Sequence, residues 1–573
     1  MSDDLRAALK NCWMRLVRAG AILVLMGMLS VGVSTPASAA DAISAHGMVV
    51  TAQHLASDVG LSILKEGGNA VDAAVAVGYA QAVVNPCCGN IGGGGFMVLH
   101  LKSRSDIVIN FRETAPTHAT AAMYQDASGS VIANASLIGF KAVAVPGTVS
   151  ALDMALRKYG RLSRARVLAP AIRLAREGYI LTTGDANILA ASAAQFRADP
   201  QLARIFLRPN GSPLRAGDRL VQSDLAKTLA SIAGQGPDYF YKGPVARAVV
   251  ATSARAGGIL TLEDFADYRS EEMQTLRCSY RGYNVVSVPP PSSGGVSLCE
   301  ILNVLEGYDL KSLGFHTAAA TRVMIEAMKR AYTDRNDSLG DPNFVVIPLA
   351  HLLSKKYAAA IRKDIDSGST PVALVDSSSE KPQTTHFSVI DRDGNAVSVT
   401  YTLNGSFGAL AMAPGTGVLL NDEMDDFTTT PGAPNQFGLV QGVKNAIAPG
   451  KRPLSSMSPT IILKDGRPFL VLGSPGGARI ITATLEAAIN VIDYGMSPQA
   501  AVDAPRIHFQ AQPDTVFLEP GALSKQTREN LETQGYRFVE QQPWCAVELI
   551  KVDGAVLTGA NDYRRPAGSA VGY

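Results

Sequence analysis

The sequence lacks an excess of charge of either sign. Its 573 residues include 52 Lys and Arg and 50 Asp and Glu, which gives a formal charge of +2. A chain balanced in this way carries no overall field that would attract nucleic acid or an anionic membrane, so we expect a small molecule or a peptide as the substrate. Hydrophobic residues make up 47% and charged residues 18% of the chain. This composition is typical of a globular protein, and the length allows either two packed units or one large layered fold.

Motifs for metals and nucleotides are also missing. The sequence contains no HExxH or HxxxH pattern, which argues against a metal site. Its glycine cluster GNIGGGG at residues 89–95 fails the G-x-G-x-x-G spacing and is not followed by G-K-[ST], so it meets neither nucleotide fingerprint. We therefore expect no metal and no cofactor. The cluster instead predicts a tight entry into a strand or a close approach of two backbones.

Cysteine is scarce and irregularly spaced. Beyond Cys12 in the N-terminal segment, the cysteines are Cys87, Cys88, Cys278, Cys299 and Cys545. An odd number without C-x-x-C spacing is poor evidence for a disulfide framework or a zinc site. Cys87 and Cys88 are adjacent, a geometry that strains a bond between them. We expect these cysteines to be small buried hydrophobic side chains.

Long hydrophobic runs are scarce as well, and the run that stands out lies near the N-terminus. Arg15 and Arg18 precede AGAILVLMGMLSVGVS, which is followed by the small residues TPASAA. The run is short for a bilayer span and ends at an A-x-A site for signal peptidase. The pattern predicts that residues 1–39 are a signal peptide, removed after Ala39, and that the protein is exported to the periplasm. A retained membrane anchor is the alternative.

Helix and strand patterns occur before the residue-371 loop, and the middle of the chain, about 150–370, carries several helix-like stretches without an internal repeat. The alanine-rich segment ASDVGLSILKEGGNAVDAAVAVGYAQAVV predicts two helices around a Gly-Gly break. DIVINFRETAP predicts a strand that ends in Arg112 and Glu113, and TAAATRVMIEAMKRAYTDR predicts a long helix. Residues 371–383, PVALVDSSSEKPQ, predict a polar loop.

The segment that follows, TTHFSVIDRDGNAVSVTYTLN, predicts a hairpin with one apolar and one polar face. Odd positions are mostly apolar and even positions mostly polar, a period of two that indicates half-buried strands, and Asp-Gly supplies the turn. A two-residue loop would pair each apolar face with a polar one. An odd loop such as Asp393 to Asn395 places Thr384 opposite Asn404, with Thr402 on the same face. The hairpin is therefore expected to gather these three residues into a polar cluster.

A second glycine-rich turn, GSPGG at residues 473–477, follows the strand pattern RPFLVL and precedes a helical pattern. The backbone N–H groups of Gly476 and Gly477 would lie near the positive end of that helix and suit a developing oxyanion. A purely structural turn explains the same residues. The segment KRPLSSMSPT just upstream favours a functional role, because Ser455 and Ser456 are adjacent hydroxyl donors.

Charged and titratable residues near these motifs have two interpretations each. The acids of LLNDEMDDF form either a solvated face or a site for a substrate ammonium; they are Asp422, Glu423, Asp425 and Asp426. Arg112 makes either an ordinary surface ion pair or a bidentate fork for a carboxylate. His386 could be imagined as a base for Thr384. Side chains two residues apart on one strand face project in parallel, however, so a supporting role for His386 is favoured.

Taken in this order, the motifs resemble those of the γ-glutamyltransferases, which are secreted N-terminal-nucleophile hydrolases. The resemblance runs from residue 45 to Tyr573 through GNIGGGGFM, FRE, TTHFSV, DGNAVSVTYTLN, MDDF, KRPLSSMSPT and GSPGG. It implies an α+β fold, a four-layer αββα sandwich made as one precursor. The precursor is expected to cut itself between Gln383 and Thr384. The products would be a large subunit of residues 40–383 and a small catalytic subunit of residues 384–573, held together as a heterodimer.

The resemblance also implies a role for each matched residue. Thr384 matches the nucleophile and Thr402 the hydroxyl that supports it, while Gly476 and Gly477 match the oxyanion hole. The remaining matches bind the α-amino end of the substrate (Asn404, Glu423 and Asp426) or its α-carboxylate (Arg112, Ser455 and Ser456). Once freed by the cut, the α-amino group of Thr384, with a reference pKa of about 8, would assist proton transfer from its own hydroxyl.

The implied activity is that of a γ-glutamyltransferase and glutathione hydrolase. Thr384 would accept the γ-glutamyl group of glutathione or a related amide and pass it to water, an amino acid or a dipeptide. The alternatives are a cephalosporin (glutaryl) acylase of the same fold and a non-catalytic periplasmic binding homologue. Asp426 favours an amino-acid substrate, and the intact set of Thr384, Thr402, Asn404 and Asp426 argues against a binding protein. TTTPGAPNQFGLVQG resembles the family's lid, with Phe437 as its covering aromatic, whereas PWCAVELI departs from the family's pattern.

Overall fold

Two seven-stranded antiparallel sheets form the centre of the protein, seen in a computed structural model that describes residues 41–102, 104–368 and 384–573. In spatial order, the first sheet contains Ser569–Gly572, Met48–Thr51, Thr385–Ile390, Ala396–Thr402, Gly94–His100, Ile107–Asn110 and Glu271–Gln274. The second contains Ala42–Ser44, Val556–Asn561, Glu548–Asp553, Arg467–Leu472, Thr460–Lys464, Tyr283–Ser287 and Leu276–Tyr280. Smaller ladders join Ala411–Met412 to Leu419–Leu420, Tyr179–Ile180 to Arg219–Leu220, and Val516–Leu518 to both Ile507–His508 and Phe538–Glu540. The predicted signal peptide and the predicted loop at 371–383 lie outside the described residues.

Helices cover the outer face of each sheet. On the first sheet's side they are His54–Lys65, Ala70–Val84, Thr148–Tyr159, Arg164–Glu177, Thr183–Ala191, Ala193–Ala198, Pro200–Phe206, Ser223–Gln235, Asp238–Tyr241, Pro244–Arg255 and Leu262–Asp267. On the second sheet's side they are Gly294–Leu305, Leu310–Leu313, Ala318–Ser338, Leu349–Leu352, Lys355–Ser367, Ile480–Ile492, Pro498–Asp503 and Lys525–Thr533. A third core, which includes Phe96, Val288 and Ile461, fills the space between the sheets. The predicted αββα sandwich is therefore confirmed.

The two helices predicted around the Gly-Gly break are present as His54–Lys65 and Ala70–Val84. Asn69 begins the second helix: its side chain accepts hydrogen bonds from the first turn, and Asp72 bonds back to the Asn69 backbone, which completes a capping box. Every residue of Ala70–Val84 is buried, and the small alanines let it pack closely between the first sheet and neighbouring helices. Among the helices of the described ranges, none combines the length and the apolar character that a membrane span requires.

The central hairpin, formed by Thr385–Ile390 and Ala396–Thr402, differs from its prediction in two ways. Its loop is odd, as predicted, but contains residues 391–395, because Ile390 pairs with Ala396. This register sets Thr384 opposite Thr402 rather than Asn404. Both strands are buried along their whole length, so the half-buried interpretation was wrong. The polar face packs on the second sheet, where Ser388 and Ser398 donate hydrogen bonds to backbone oxygens of that sheet at 2.9 and 3.0 Å.

The cysteine prediction was wrong for two pairs. Cys87 is bonded to Cys88, and Cys278 is bonded to Cys299, while Cys545 is free. Cys278 lies in a strand of the second sheet and Cys299 in the helix packed on it, which brings their Cα atoms to 5.9 Å, within the usual range for a disulfide. Spacing along the chain carries no information about this approach, because the packing of helix on strand creates it.

Candidate active site

Thr384 lies at the head of the central hairpin, where its hydroxyl faces that of Thr402. The two oxygens are 3.1 Å apart. The Thr402 hydroxyl also accepts a hydrogen bond from the backbone N–H of Asn404 at 2.8 Å. Asn404 has a positive φ of 80°, which ends the strand, and its side chain donates to the backbone oxygen of Asp422 at 3.1 Å. Both threonines are almost completely buried, whereas Gln383 lies outside the described residues.

These residues open into one small pocket. Its lining consists of Arg112, Thr384, Thr402, Asn404, Asp426, Phe437, Leu439, Ser455, Ser456, Met457, Gly477 and Ile480. The structure thus brings together most of the residues predicted from sequence, although they are spread over more than 360 positions of the chain. Glu423 and Gly476 do not line the pocket themselves. Glu423 binds Arg112 and Gly476 precedes Gly477, and both of these partners line it.

The acidic segment at residues 422–426 is buried, so the solvated-face interpretation is wrong. Glu423 and Asp426 both bind the guanidinium of Arg112, whose Nε donates to the backbone oxygen of Pro453 at 3.1 Å. Arg112 is fully buried, which also excludes an ordinary surface ion pair. Burial raises the pKa of Glu423 well above its usual value, while Arg112 opposes that shift. Asp426 reaches the pocket and Glu423 anchors Arg112 behind it.

Ser455 and Ser456 present hydroxyl groups that accept hydrogen bonds from the protein. Ser455 Oγ accepts from the backbone N–H of Met457 at 3.0 Å, and Ser456 Oγ accepts from the guanidinium of Arg335 at 3.2 Å. Within the described part of the chain, neither hydroxyl has an acceptor for its own hydrogen. Because both serines line the pocket, these hydrogens are available to an anion bound there.

The predicted strand-to-helix turn at residues 473–477 is confirmed. It follows strand Arg467–Leu472 and leads through a 3₁₀ turn into helix Ile480–Ile492. Gly476 and Gly477 precede the first full helical turn, so their backbone N–H groups have no acceptor within the helix. The arrangement suits the binding of a negatively charged oxygen at the helix N-terminus.

Close contacts fix this glycine turn on both sides. Gly476 has φ 133° and Gly477 has φ 56°, a region that glycine adopts readily. A Cβ atom at Gly476 would lie 2.1 Å from Sγ of Cys545, and a Cβ at Gly477 would lie 2.5 Å from the ring of Phe437. Neither position therefore has room for a side chain. Cys545 belongs to the PWCAVELI segment. Sequence reasoning missed the contact between this segment and the glycine turn.

His386 supports the strand instead of serving Thr384, as expected. Its Nδ1 lies 2.8 Å from the hydroxyl of Thr400 and its Nε2 lies 3.1 Å from that of Ser388. Burial lowers the pKa of His386 to about 3, so the ring is neutral at physiological pH. A Cβ at Gly473 would lie 2.3 Å from the His386 ring, which shows that the ring packs directly beneath the glycine turn.

A short hairpin at residues 434–440, within the segment that resembles the family's lid, holds Phe437 against the pocket. Phe437 is buried and lines the cavity. Asn435 donates to Asp426 at 3.3 Å, and the backbone N–H of Gln436 donates to Asp425 at 2.9 Å. Gln510 donates to the backbone oxygen of Phe437 at 3.1 Å. The acidic segment and Gln510, a residue that sequence reasoning missed, thus fasten the hairpin over the pocket.

Arg335 is a further residue that sequence reasoning missed, although a signal was present. In helix Ala318–Ser338 the buried positions Met324, Met328 and Ala331 follow the spacing of one helix face, and Arg335 continues it. A charged residue on an apolar face needs polar partners inside the fold. Arg335 finds one in Ser456 of the pocket.

The stacked sheets, with a threonine at the head of a central strand and a glycine turn that reaches the same pocket, define the class of N-terminal-nucleophile hydrolases. The family model of gamma-glutamyltranspeptidase matches residues 56–572. The chain therefore belongs to the gamma-glutamyltranspeptidase family, as the resemblance of its motifs predicts, and it is an enzyme.

Individual relatives agree with this assignment. The chain is 52% identical over 551 residues to the glutathione hydrolase proenzyme of Pseudomonas sp. (strain A14), covering 94% of this chain and 96% of the relative. It is 46% identical over 534 residues to the glutathione hydrolase proenzyme of Escherichia coli (strain K12), covering 92% of each. Among solved structures, the cephalosporin acylase from Bacillus halodurans matches with a TM-score of 0.83 and 29% identity, over 95% of this chain and 99% of the acylase.

Proposed function

We propose that this enzyme is a γ-glutamyltransferase and glutathione hydrolase with Thr384 as its nucleophile. The pair of hydroxyls on Thr384 and Thr402, 3.1 Å apart in the pocket, carries the proposal. The α-carbon of a γ-glutamyl group bears an ammonium and a carboxylate, so one pocket must supply partners for both. The partners for the ammonium are Asn404 and Asp426, with Glu423 behind Asp426. The partners for the carboxylate are Ser455, Ser456 and Arg112.

Thr384 first has to become an N-terminus. We infer that its Oγ attacks the carbonyl carbon of Gln383, that the C–N bond breaks as the nitrogen takes a proton, and that water then hydrolyses the resulting ester. The products are a large subunit of residues 40–383 and a small subunit of residues 384–573. Thr402, whose hydroxyl lies beside the attacking oxygen, stabilises it by a hydrogen bond.

The same oxygen then performs turnover. The new α-amino group of Thr384 takes the proton of its own hydroxyl as Oγ bonds to the γ-carbonyl carbon of the donor. The backbone N–H groups of Gly476 and Gly477 hold the negative oxygen of the tetrahedral intermediate. The leaving amine departs with a proton, which leaves a γ-glutamyl ester on Thr384. Water completes hydrolysis, and the amino group of an amino acid or dipeptide completes transfer.

Purified protein tests the proposal directly. A denaturing gel should show two bands, and the enzyme should hydrolyse a γ-glutamyl anilide much faster than a glutaryl anilide, which lacks only the α-amino group. The glutaryl anilide also tests the acylase alternative, with which the structural match to the cephalosporin acylase is compatible. Preference for the glutaryl compound would overturn the γ-glutamyl assignment. A single uncut chain without turnover would instead support the binding-homologue alternative.

We also propose that the protein is exported and acts in the periplasm. The support is the sequence of residues 1–39, in which two arginines precede an apolar run and an A-x-A site. Cell fractionation should recover the activity with periplasmic proteins, and the large subunit should begin at Ala40. A large subunit that retains Met1 in the membrane fraction would indicate the anchor alternative.

Thr402→Val should slow turnover without removing it. Valine has nearly the same shape as threonine but cannot bond to Thr384 Oγ, so we expect kcat to fall by roughly tenfold to hundredfold. Thr402→Ser keeps the hydroxyl and should retain most of the activity. Steady-state kinetics with a γ-glutamyl anilide measure both variants, and an equal loss in the two would contradict a role for the hydroxyl.

A further inference from the structure

Arg335 places a buried positive charge behind the pocket. It lies in the last turn of helix Ala318–Ser338, with 1% of its surface exposed. Its guanidinium donates to neutral side-chain oxygens of Ser293 (3.0 Å), Asn336 (3.0 Å), Gln441 (3.0 Å) and Ser456 (3.2 Å). Across residues 41–102, 104–368 and 384–573, no carboxylate oxygen lies within 4.0 Å of it.

The lack of a bonded carboxylate distinguishes Arg335 from three other arginines with buried side chains. Arg112, Arg506 and Arg564 are buried too, and each pairs with at least one buried carboxylate. Burial lowers the pKa of Arg335 to about 10, so it remains protonated near neutral pH. The negative end of its own helix offsets only part of the unfavourable desolvation. Asp426 favours the charged form of Arg335 from a distance, but no carboxylate of the described residues bonds to the guanidinium, so its charge is only partly balanced.

Two routes connect Arg335 to the pocket. It donates directly to Ser456 Oγ, and it donates to Ser293 Oγ. Ser293 in turn donates to the backbone oxygen of Ser455 at 2.7 Å through its hydroxyl and at 2.8 Å through its N–H. Arg335 therefore orients the Ser456 hydroxyl directly and holds the backbone of Ser455. A hydroxyl that accepts from a guanidinium is a stronger donor through its own hydrogen.

The geometry points to Arg335 as a positioning residue for the α-carboxylate of the donor, acting through Ser455 and Ser456; this rests on the proposed function. The carboxylate supplies the anion that the buried guanidinium lacks. Arg112 alone offers the carboxylate less positive charge, because its charge is already shared by Glu113, Glu423 and Asp426. Recognition of a carboxylate at this end of the pocket thus uses a second cation that never touches the substrate.

Three anilides separate this role from a structural one. A γ-glutamyl anilide carries both head groups, a glutaryl anilide keeps only the carboxylate, and a 4-aminobutyryl anilide keeps only the amine. Arg335→Gln should raise KM for the γ-glutamyl anilide by about tenfold to hundredfold with little change in kcat, since it weakens a charge-assisted contact. The same variant should lower kcat/KM for the glutaryl anilide similarly and change kcat/KM for the 4-aminobutyryl anilide by less than about threefold.

Matched variants distinguish a specific effect on carboxylate binding from a folding defect. Arg322→Gln changes an arginine of the same helix that donates to the backbone oxygen of Ile365, away from the pocket, and should leave all three anilides unaffected. Arg335→Lys keeps the charge but loses the planar guanidinium that donates to Ser293 and Ser456 from separate nitrogens, so it should show a smaller rise in KM confined to the carboxylate-bearing anilides. The Arg335→Lys variant is measured in its place if Arg335→Gln does not fold.

The possible failures are distinguishable. A wild-type enzyme that does not turn over the γ-glutamyl anilide would refute the proposed function. A wild-type enzyme that does, combined with Arg335 variants that lose activity equally on all three anilides or leave KM unchanged, would overturn the inference about Arg335 and leave the proposed function standing.

Discussion

Thr384→Ala is expected to leave a single uncut chain with no measurable turnover. Without Oγ there is no nucleophile to break the Gln383–Thr384 bond, and none to accept the γ-glutamyl group. The loss of kcat should be at least about 10⁴-fold, the scale seen when a nucleophile that acts as part of a unit is removed. A denaturing gel and a γ-glutamyl anilide assay, run on the same preparation, measure both effects.

Two neighbouring variants sharpen this test. Thr384→Ser restores an Oγ and should recover both cutting and turnover, more slowly because serine lacks the β-branch that stiffens χ1. Thr385→Ala removes a hydroxyl from the opposite strand face, where it accepts a hydrogen bond from Asn85 at 3.2 Å, and should still cut and turn over. Turnover by Thr384→Ala would show that another residue is the nucleophile.

Gly476→Ala should cost the enzyme about 10² to 10³ in kcat, the range for loss of an oxyanion donor. The new Cβ would lie 2.1 Å from Sγ of Cys545, and φ of 133° is unfavourable for alanine. The glycine turn must move, and its N–H groups would then point away from the developing charge. KM should change much less than kcat, because the oxyanion exists only during reaction.

Two comparisons separate the causes of that loss. Gly466→Ala also replaces a glycine of positive φ, 76°, but nothing lies within 4 Å of the added Cβ, so kcat should be unchanged. Cys545→Ala combined with Gly476→Ala removes the sulfur and should recover part of the activity. No recovery in the double variant would mean that backbone conformation, and not the contact with Cys545, controls the turn.

The resemblance of the motifs to a known family predicted the layered fold and most of the pocket, whereas local pattern alone predicted the central hairpin. Period-two alternation identified the central hairpin and the odd length of its loop. It could not distinguish loops that differ by two residues, so Thr384 was paired with Asn404 instead of Thr402. It also assigned the polar face to solvent, since a single strand gives no sign that Ser388 and Ser398 find acceptors on a second sheet.

Other misses have the same physical origin, which is contact between distant elements. Cys278 and Cys299 are joined because a helix packs on a strand, and Cys545 touches Gly476 because a distant segment crosses the glycine turn. The acids at residues 422–426 were left between a solvated face and a binding site, and only their burial against Arg112 decides the matter. Residue type and spacing specify none of these three contacts.

The strand order of the first sheet predicts that the two products of a cut before Thr384 remain bound to each other. The central hairpin lies between Met48–Thr51 and Gly94–His100, so a strand from the other side of the cut borders it on each edge. In the second sheet, Tyr283–Ser287 likewise pairs with Thr460–Lys464. The two subunits would share both sheets and would elute as one species under native conditions. Exchanging one piece for another would require unfolding both sheets.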